Sequence, residues 1–153
     1  MIYGCIAEKL GHSFSKEIHN RLFDYSYELK EVPNTEFDTF MRKKEFKAIN
    51  VTIPYKKEVL KYLDHVDPLA RRLGSVNTVV KRNGILTGYN SDYFGFLYMA
   101  KKCGCDFNGK KVLILGSGGA SLTVHHVAKD EGAKEIVVVS RSGENNYSNI
   151  SRH

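Results

Sequence analysis

Residues 110–139 constrain the fold of this chain more than any other stretch. Val112 to Leu115 is an unbroken apolar run. Gly116-Ser117-Gly118-Gly119 follows as a glycine turn. Ala120 to Glu131 reads as a helix closed by Gly132, and Ile136 to Val139 is a second apolar run. Strand, tight turn, helix and strand within about 30 residues make one βαβ unit, the length of the first half of a mononucleotide-binding fold. Beyond it the chain turns polar, from Ser142 to Asn149, and stops at His153. The nucleotide-type fold is therefore expected to be incomplete, with an open strand edge and uncovered apolar surface over 112–115 and 136–139. That surface is expected to promote self-association or disorder.

A glycine turn alone is a weak signal; its place between a strand and a helix strengthens it. Glycines let the backbone approach a pyrophosphate, and a helix N-terminus offers unpaired N–H groups. The alternative is a tight strand-to-helix turn with no ligand. The candidate cofactor residues are Gly116, Ser117, Gly118, Gly119 and Ala120. The end of the second strand discriminates between cofactors, because an acidic residue there would hold the ribose hydroxyls of NAD. This chain has Ser140-Arg141-Ser142, which suits a 2′-phosphate and favours NADP. A solvated loop arginine is the competing reading of Arg141.

The first hundred residues alternate strand and helix signals. Strands are expected at Ile2–Ile6, Tyr27–Val32 and Ala48–Ile53. Helices are expected at Ser15–Asp24, with Ile18, Leu22 and Phe23 on one face, and at Thr35–Lys44, with Phe37, Phe40 and Met41. Pro54 suits the first turn of a further helix running through Val59, Leu60 and Leu63, and a short helix follows Asp67-Pro68. Val76–Val80 and Ile85–Gly88 flank Asn83-Gly84, a type I′ hairpin signal. A helix over Asp92–Lys102 ends at Gly104. The polar, turn-rich stretch 103–110 places a domain boundary there, giving 1–103 and 104–153. The fold class is α/β: an N-terminal α/β domain with a mostly parallel mixed sheet, then an incomplete Rossmann-like βαβ unit.

Ahead of the glycine turn lie residues able to move a proton. Lys56 follows a strand and a proline, and Asp92 opens the next strong helix; such a pair can exchange a proton with a hydroxyl. Ser13 and Ser15 sit at a helix start, where two hydroxyls can hold a carboxylate. Each has a plainer reading. Lys56 alone is a surface lysine, Asp92 a helix-start carboxylate, Asn77-Thr78 hairpin polarity, and Ser15 an N-cap. Their joint occurrence favours function. His12 has no partner at metal spacing, adjacent His125 and His126 point to different helix faces, and Cys103-Gly104-Cys105 lacks a second cysteine pair, so no metal site is expected.

Composition narrows the classes further. Three cysteines without a framework fit a reducing compartment. No apolar run approaches the roughly 18 residues of a membrane span. The start has no basic n-region, so a cytoplasmic protein is expected. The formal charge of +6 is spread along the chain without an arginine-rich tail or interleaved aromatics. That argues against nucleic acid and suits small anions.

Taken together, the motifs resemble those of shikimate dehydrogenase. They are Gly11-His12-Ser13-Phe14-Ser15 with Ile18-His19-Asn20, then Asn50-Val51-Thr52-Ile53-Pro54-Tyr55-Lys56. Gly74-Ser75-Val76-Asn77-Thr78 follows, then Gly88-Tyr89-Asn90-Ser91-Asp92 with Gly95-Phe96, and finally Leu115-Gly116-Ser117-Gly118-Gly119-Ala120. The resemblance implies NADP-linked, reversible reduction of 3-dehydroshikimate to shikimate. It implies that Ser13 and Ser15 hold the substrate carboxylate, and that Thr52, Asn77 and Asp92 bind ring hydroxyls together with Lys56. Lys56 would exchange the proton at the reacting oxygen, positioned by Asp92.

The departures are mild: Lys9 and Lys16 in place of prolines, Ser91 for threonine, and Ser140-Arg141-Ser142 for Asn-Arg-Thr. Family members continue well past His153, so the chain alone is expected to show little turnover. The competing functions are a quinate/shikimate dehydrogenase of broader specificity and a non-catalytic binding module for small acids.

Overall fold

The computed structural model describes residues 2–11 and 13–152. His12 lies outside them. The chain forms two compact units, Met1–Asn90 and Ser91–His153.

The first unit runs β1 (Tyr3–Ala7), α1 (Ser15–Leu22), β2 (Tyr27–Glu31), α2 (Asn34–Lys43), β3 (Ala48–Val51), a 3-10 helix (Glu58–Tyr62), β4 (His65–Val66), α3 (Pro68–Leu73), β5 (Thr78–Arg82) and β6 (Ile85–Tyr89). The strands form one sheet in the order β2-β1-β3-β5-β6-β4. β1 pairs parallel with β2 and β3, β4 pairs parallel with β6, and β5 is antiparallel to both its neighbours. All strands but β5 therefore run one way, which is the mostly parallel mixed sheet expected. β5 owes its reversal to the hairpin, where Asn83 (φ 52°) and Gly84 (φ 81°) both take the positive φ of a type I′ turn.

The core lies where α2 and the 3-10 helix close on the sheet. Of the expected stripe of α2, Phe37 and Met41 are buried with Ile6, Ile49, Val51, Val59 and Leu86, and Phe40 is partly buried against them. The Phe37 ring stacks on Tyr55 at 4.0 Å. Tyr55 is fully buried, and its hydroxyl donates to the Val32 carbonyl at 2.6 Å. That bond offsets the cost of burying the phenol. At Gly88 a Cβ would collide with Leu63 Cδ1 and come within 3.0 Å of Val76 Cγ2. Only glycine lets the segments around Leu63 and Val76 close over β6.

Three local expectations change. The Ile53–Pro54 bond is cis, and residues 53–57 form turns before a 3-10 helix, so no α-helix starts at Pro54. Helix α1 ends at Leu22, and its stripe stays exposed: Ile18 is 52% and Leu22 67% accessible, with Phe23 just beyond at 52%. A helix of eight residues beside β2, an edge strand, has too little second layer to bury it. The N-cap of α1 is Phe14, without a side-chain cap bond, and the Ser13 hydroxyl accepts from the Ser15 N–H at 3.3 Å. Ser15 is thus the first helical residue rather than the cap.

The second unit holds α4 (Asp92–Lys102), β7 (Lys111–Leu115), α5 (Gly119–Asp130), β8 (Glu135–Val139) and a terminal 3-10 turn (Ile150–Arg152). β7 and β8 pair in parallel, Val112 opposite Ile136 and Leu115 opposite Val139. The βαβ unit therefore forms as read. Val127, Ala128, Ile114, Val137 and Val139 are buried, while Leu113 and Leu115 are 42% and 63% exposed. α4 packs on α5: the Tyr93 hydroxyl donates to Asp130 at 2.6 Å, and Lys101 pairs with Glu131 at 3.3 Å. These contacts draw α4 into the second unit, so the compact units part at Asn90/Ser91, ahead of the turn-rich 103–110. Among the described residues no helix is long and apolar enough to cross a membrane.

Candidate active site

The direction of the strands gathers the candidates of the first unit. β1, β3 and β6 run parallel, so their carboxyl ends lie at one edge of the sheet, and β5 starts at that same edge. The serine loop leaves the end of β1, Thr52 and Lys56 follow β3, and Asn77 precedes β5. Ligands of open α/β sheets bind outside this edge.

Backbone bonds hold the pieces in register. The Thr52 N–H donates to the Ile6 carbonyl at 3.0 Å and the Val51 N–H to the Asn77 carbonyl at 2.8 Å. The Val76 N–H donates to the Lys56 carbonyl at 2.8 Å, and the Asn77 N–H to the Tyr89 carbonyl at 3.0 Å. Lys56 and Asn77 are thereby tied to adjacent segments. The buried Asn90 side chain donates to the Ser75 carbonyl at 2.9 Å, fixing the exit of β6 against the same segment. The Leu10 N–H donates to Glu31 at 2.8 Å, anchoring the serine loop.

Burial differs among these residues. Asn77 is 7% exposed, and Ser13, Ser15, Thr52 and Lys56 are half-buried. Cys5 on β1 is buried, which pushes its thiol pKa up, and the Lys56 ammonium is near enough to draw it partway back. Asp92 is the first residue of α4, in the second unit, three positions past the end of β6.

The nucleotide-type half has its own cavity. A pocket of about 410 Å³ is lined by Gly116, Ser117, Gly118, Ser140, Arg141, Ser142 and Tyr147. The glycine turn and the end of β8 thus face one space, as parallel pairing of β7 with β8 requires. Gly119 and Ala120 do not line it; they are the first residues of α5. Gly116 has φ 112°, a backbone state that requires glycine. At Gly118 and Gly119 a Cβ would meet nothing within 4 Å, so the protein's own packing does not call for glycine there. α5 starts without a side-chain cap, and Arg141 is exposed beside two hydroxyls. An uncapped helix start with a nearby guanidinium fits a phosphate-bearing ligand.

One contributor was not legible as such in the sequence. Tyr147 reaches the pocket because 140–149 folds back, with the Ser140 N–H donating to the Asn145 carbonyl at 3.0 Å and Asn146 and Asn149 bonding one another. The density of Asn and Ser between 142 and 149 was the only hint of such turns.

A mostly parallel α/β unit with polar residues at one sheet edge, followed by a glycine-turn βαβ unit, defines a two-part α/β protein whose second part begins as a mononucleotide-binding fold does. Residues 5–79 match the family model described as shikimate dehydrogenase substrate binding domain. An NADP(+) shikimate dehydrogenase of Bacillus cereus is 37% identical over 150 residues, covering 92% of this chain and 54% of the relative. The crystal structure of shikimate dehydrogenase 1 from Peptoclostridium difficile superposes with a TM-score of 0.92 at 33% identity, covering 99% of this chain and 63% of that one. A Thermus thermophilus shikimate 5-dehydrogenase, in complex with NADP(H) and shikimate, gives a TM-score of 0.81 at 31% identity, covering 93% and 57%. The chain is thus similar to shikimate dehydrogenases over nearly all of its own length, and residues 5–79 match their substrate-binding domain. It spans about half the length of the curated relatives it matches.

Proposed function

We propose that this chain carries the substrate-binding and proton-transfer half of an NADP-dependent shikimate dehydrogenase, which interconverts 3-dehydroshikimate and shikimate. The observation that carries this reading is the tie of Lys56 and Asn77 to adjacent segments at one edge of the sheet. We assign residues 1–103 to the substrate half and 104–153 to the first part of the nucleotide half, a functional division that falls after α4, whereas the compact units part before it. A cytoplasmic location goes with this reading, as do three free thiols.

In this assignment Ser13 and Ser15 donate to the substrate carboxylate, and Thr52, Asn77 and Asp92 hold the ring hydroxyls. Lys56 takes the hydroxyl proton during oxidation and returns it during reduction, and Asp92 is the second residue that the resemblance assigns to this step. NADP supplies or accepts the hydride when bound. Gly116, Ser117 and Gly118, with Gly119 and Ala120 at the start of α5, would hold its pyrophosphate, and Ser140, Arg141 and Ser142 its 2′-phosphate.

Calorimetric titration of the chain with shikimate tests the first part. One saturable site is expected, and Ser13→Ala with Ser15→Ala should weaken it by roughly 100-fold or more, because two hydrogen bonds to a charged group, each contributing about 1.5–3 kcal/mol, are lost. A double variant that binds like the parent would sink the carboxylate assignment. A parent that binds no shikimate would sink the whole reading.

The uncovered Leu113 and Leu115, beside strands with open edges, support a second copy of the chain as a further partner. Sedimentation is expected to show concentration-dependent association that Leu115→Lys reduces. A monomer at all concentrations would contradict it.

A further inference from the structure

We propose that Tyr27, Asn50 and Thr78 are positioning residues: they form a hydrogen-bonded relay that fixes the carboxamide of Asn77 with its N–H end toward the substrate. The proposal rests on the reading of Asn77 as a ring-hydroxyl ligand and adds what orients it.

The relay begins on the edge strand. Tyr27 in β2 is 3% exposed and lies opposite Tyr3 of β1, while Asn50 of β3 lies opposite Cys5, two residues further along β1. Side chains two residues apart share a sheet face. Tyr27 therefore reaches diagonally across β1, over the small Cys5 side chain, and its hydroxyl meets Asn50 Oδ1 at 2.5 Å. His19 of α1 stacks on the Tyr27 ring at 3.8 Å and 13°, and its Nδ1 bonds the Tyr25 hydroxyl at 2.7 Å. That stack presses the ring onto the sheet. Asn50 and Thr78 are direct partners across β3 and β5, with Asn50 Nδ2 to Thr78 Oγ1 at 3.1 Å. Asn50 Nδ2 also approaches the Asn77 carbonyl at 3.4 Å. Thr78 Oγ1 then meets Asn77 Oδ1 at 3.1 Å.

The Asn77 carbonyl sets the polarity of this chain: it can only accept, so the Asn50 atom that faces it and Thr78 is Nδ2, and Oδ1 faces Tyr27. The phenol donates to that oxygen, and burial raises the Tyr27 pKa, so the hydroxyl keeps its proton at neutral pH. With Oδ1 of Asn50 accepting, its Nδ2 donates to Thr78. A threonine hydroxyl has one proton, and having accepted from Asn50 it donates that proton to Asn77 Oδ1. The Asn77 backbone is held at both N–H and C=O, so the side chain cannot satisfy this bond by shifting the strand. What the carboxamide directs away from the relay is its NH₂ group, a donor suited to a hydroxyl oxygen. A flipped amide would present an acceptor and set its own NH₂ against the threonine proton.

The test is a double-mutant cycle read by shikimate affinity, with thermal melting of each variant. Thr78→Val removes the hydroxyl at constant volume and is expected to weaken shikimate binding about tenfold, whereas Thr78→Ser stays within about twofold. In an Asn77→Ala background Thr78→Val should add less than twofold, since no amide remains to orient. An equal loss in both backgrounds would mark Thr78 as merely structural and overturn the proposal, as would unchanged affinity in a folded Thr78→Val. Should Thr78→Val not fold, Tyr27→Phe carries the test. A loss of about threefold, absent when Asn77 is alanine, supports the relay, and no loss overturns it. If Asn77→Ala alone leaves shikimate binding intact, the ligand role of Asn77 fails instead, a result separate from the relay's. The relay then stands or falls on whether Thr78→Val shifts the Asn77 side-chain NH₂ resonances.

Discussion

Replacing Lys56 with alanine is expected to lower kcat for NADP-linked shikimate oxidation by two to four orders of magnitude, while KM for shikimate changes by less than about tenfold. The first figure is the usual worth of a positioned proton-transfer group. The second follows because the carboxylate clamp and the ring contacts assigned to Ser13, Ser15, Thr52 and Asn77 are untouched. The measurement belongs to the polypeptide that carries the activity, whether this chain or a longer one containing it. Lys56→Arg should not rescue, since a guanidinium stays protonated and cannot take the hydroxyl proton. A Lys56→Ala enzyme that loses KM and keeps kcat would make Lys56 a binding residue. One that keeps both would remove it from the mechanism and favour the binding-module reading.

Arg141→Ala is expected to raise Kd for NADP by roughly 10- to 100-fold and to leave NAD within about twofold. A hydrogen-bonded charge contact contributes about 1.5–3 kcal/mol, and every 1.4 kcal/mol is about a factor of ten. Only the 2′-phosphate distinguishes the two cofactors, so the loss should appear for one alone. Equal weakening of both would place Arg141 on the shared pyrophosphate, and no weakening would return it to the solvated loop. The pocket makes the contrast sharp, because Ser140, Arg141 and Ser142 line the same space as Gly116 and Gly118.

Much of the fold was legible because its signals are local. The apolar runs at Val112–Leu115 and Ile136–Val139, with a glycine turn between, admit one connection, and β7, α5 and β8 follow it closely. Asn83-Gly84 encodes its hairpin through backbone preference alone. The stripe Phe37-Met41 encodes the buried face of α2. Illegible features depended on partners distant in sequence. A proline after a strand reads as a helix start, and only the fold around Tyr55 reveals the cis turn before the 3-10 helix. The stripe of α1 reads as buried, yet its burial depends on where an edge strand leaves it. The turn-rich 103–110 reads as a boundary, but the packing of α4 on α5 decides which unit α4 joins.

For the candidate site the division is similar. Residue type and order in the sequence determine which groups are available: two serines before a helix, a lysine after a strand, an asparagine before another, a glycine turn, and an arginine past β8. These are chemical identities, and folding does not alter them. The tertiary structure decided their placement and orientation. Parallel pairing brings the ends of β1, β3 and β6 to one edge, β5 enters from that edge, and cross-strand neighbours from three different strands fix which end of Asn77 points outward. Hydrogen-bond direction depends on which donor faces which acceptor, and residues 27, 50 and 78 face one another only once the sheet has formed.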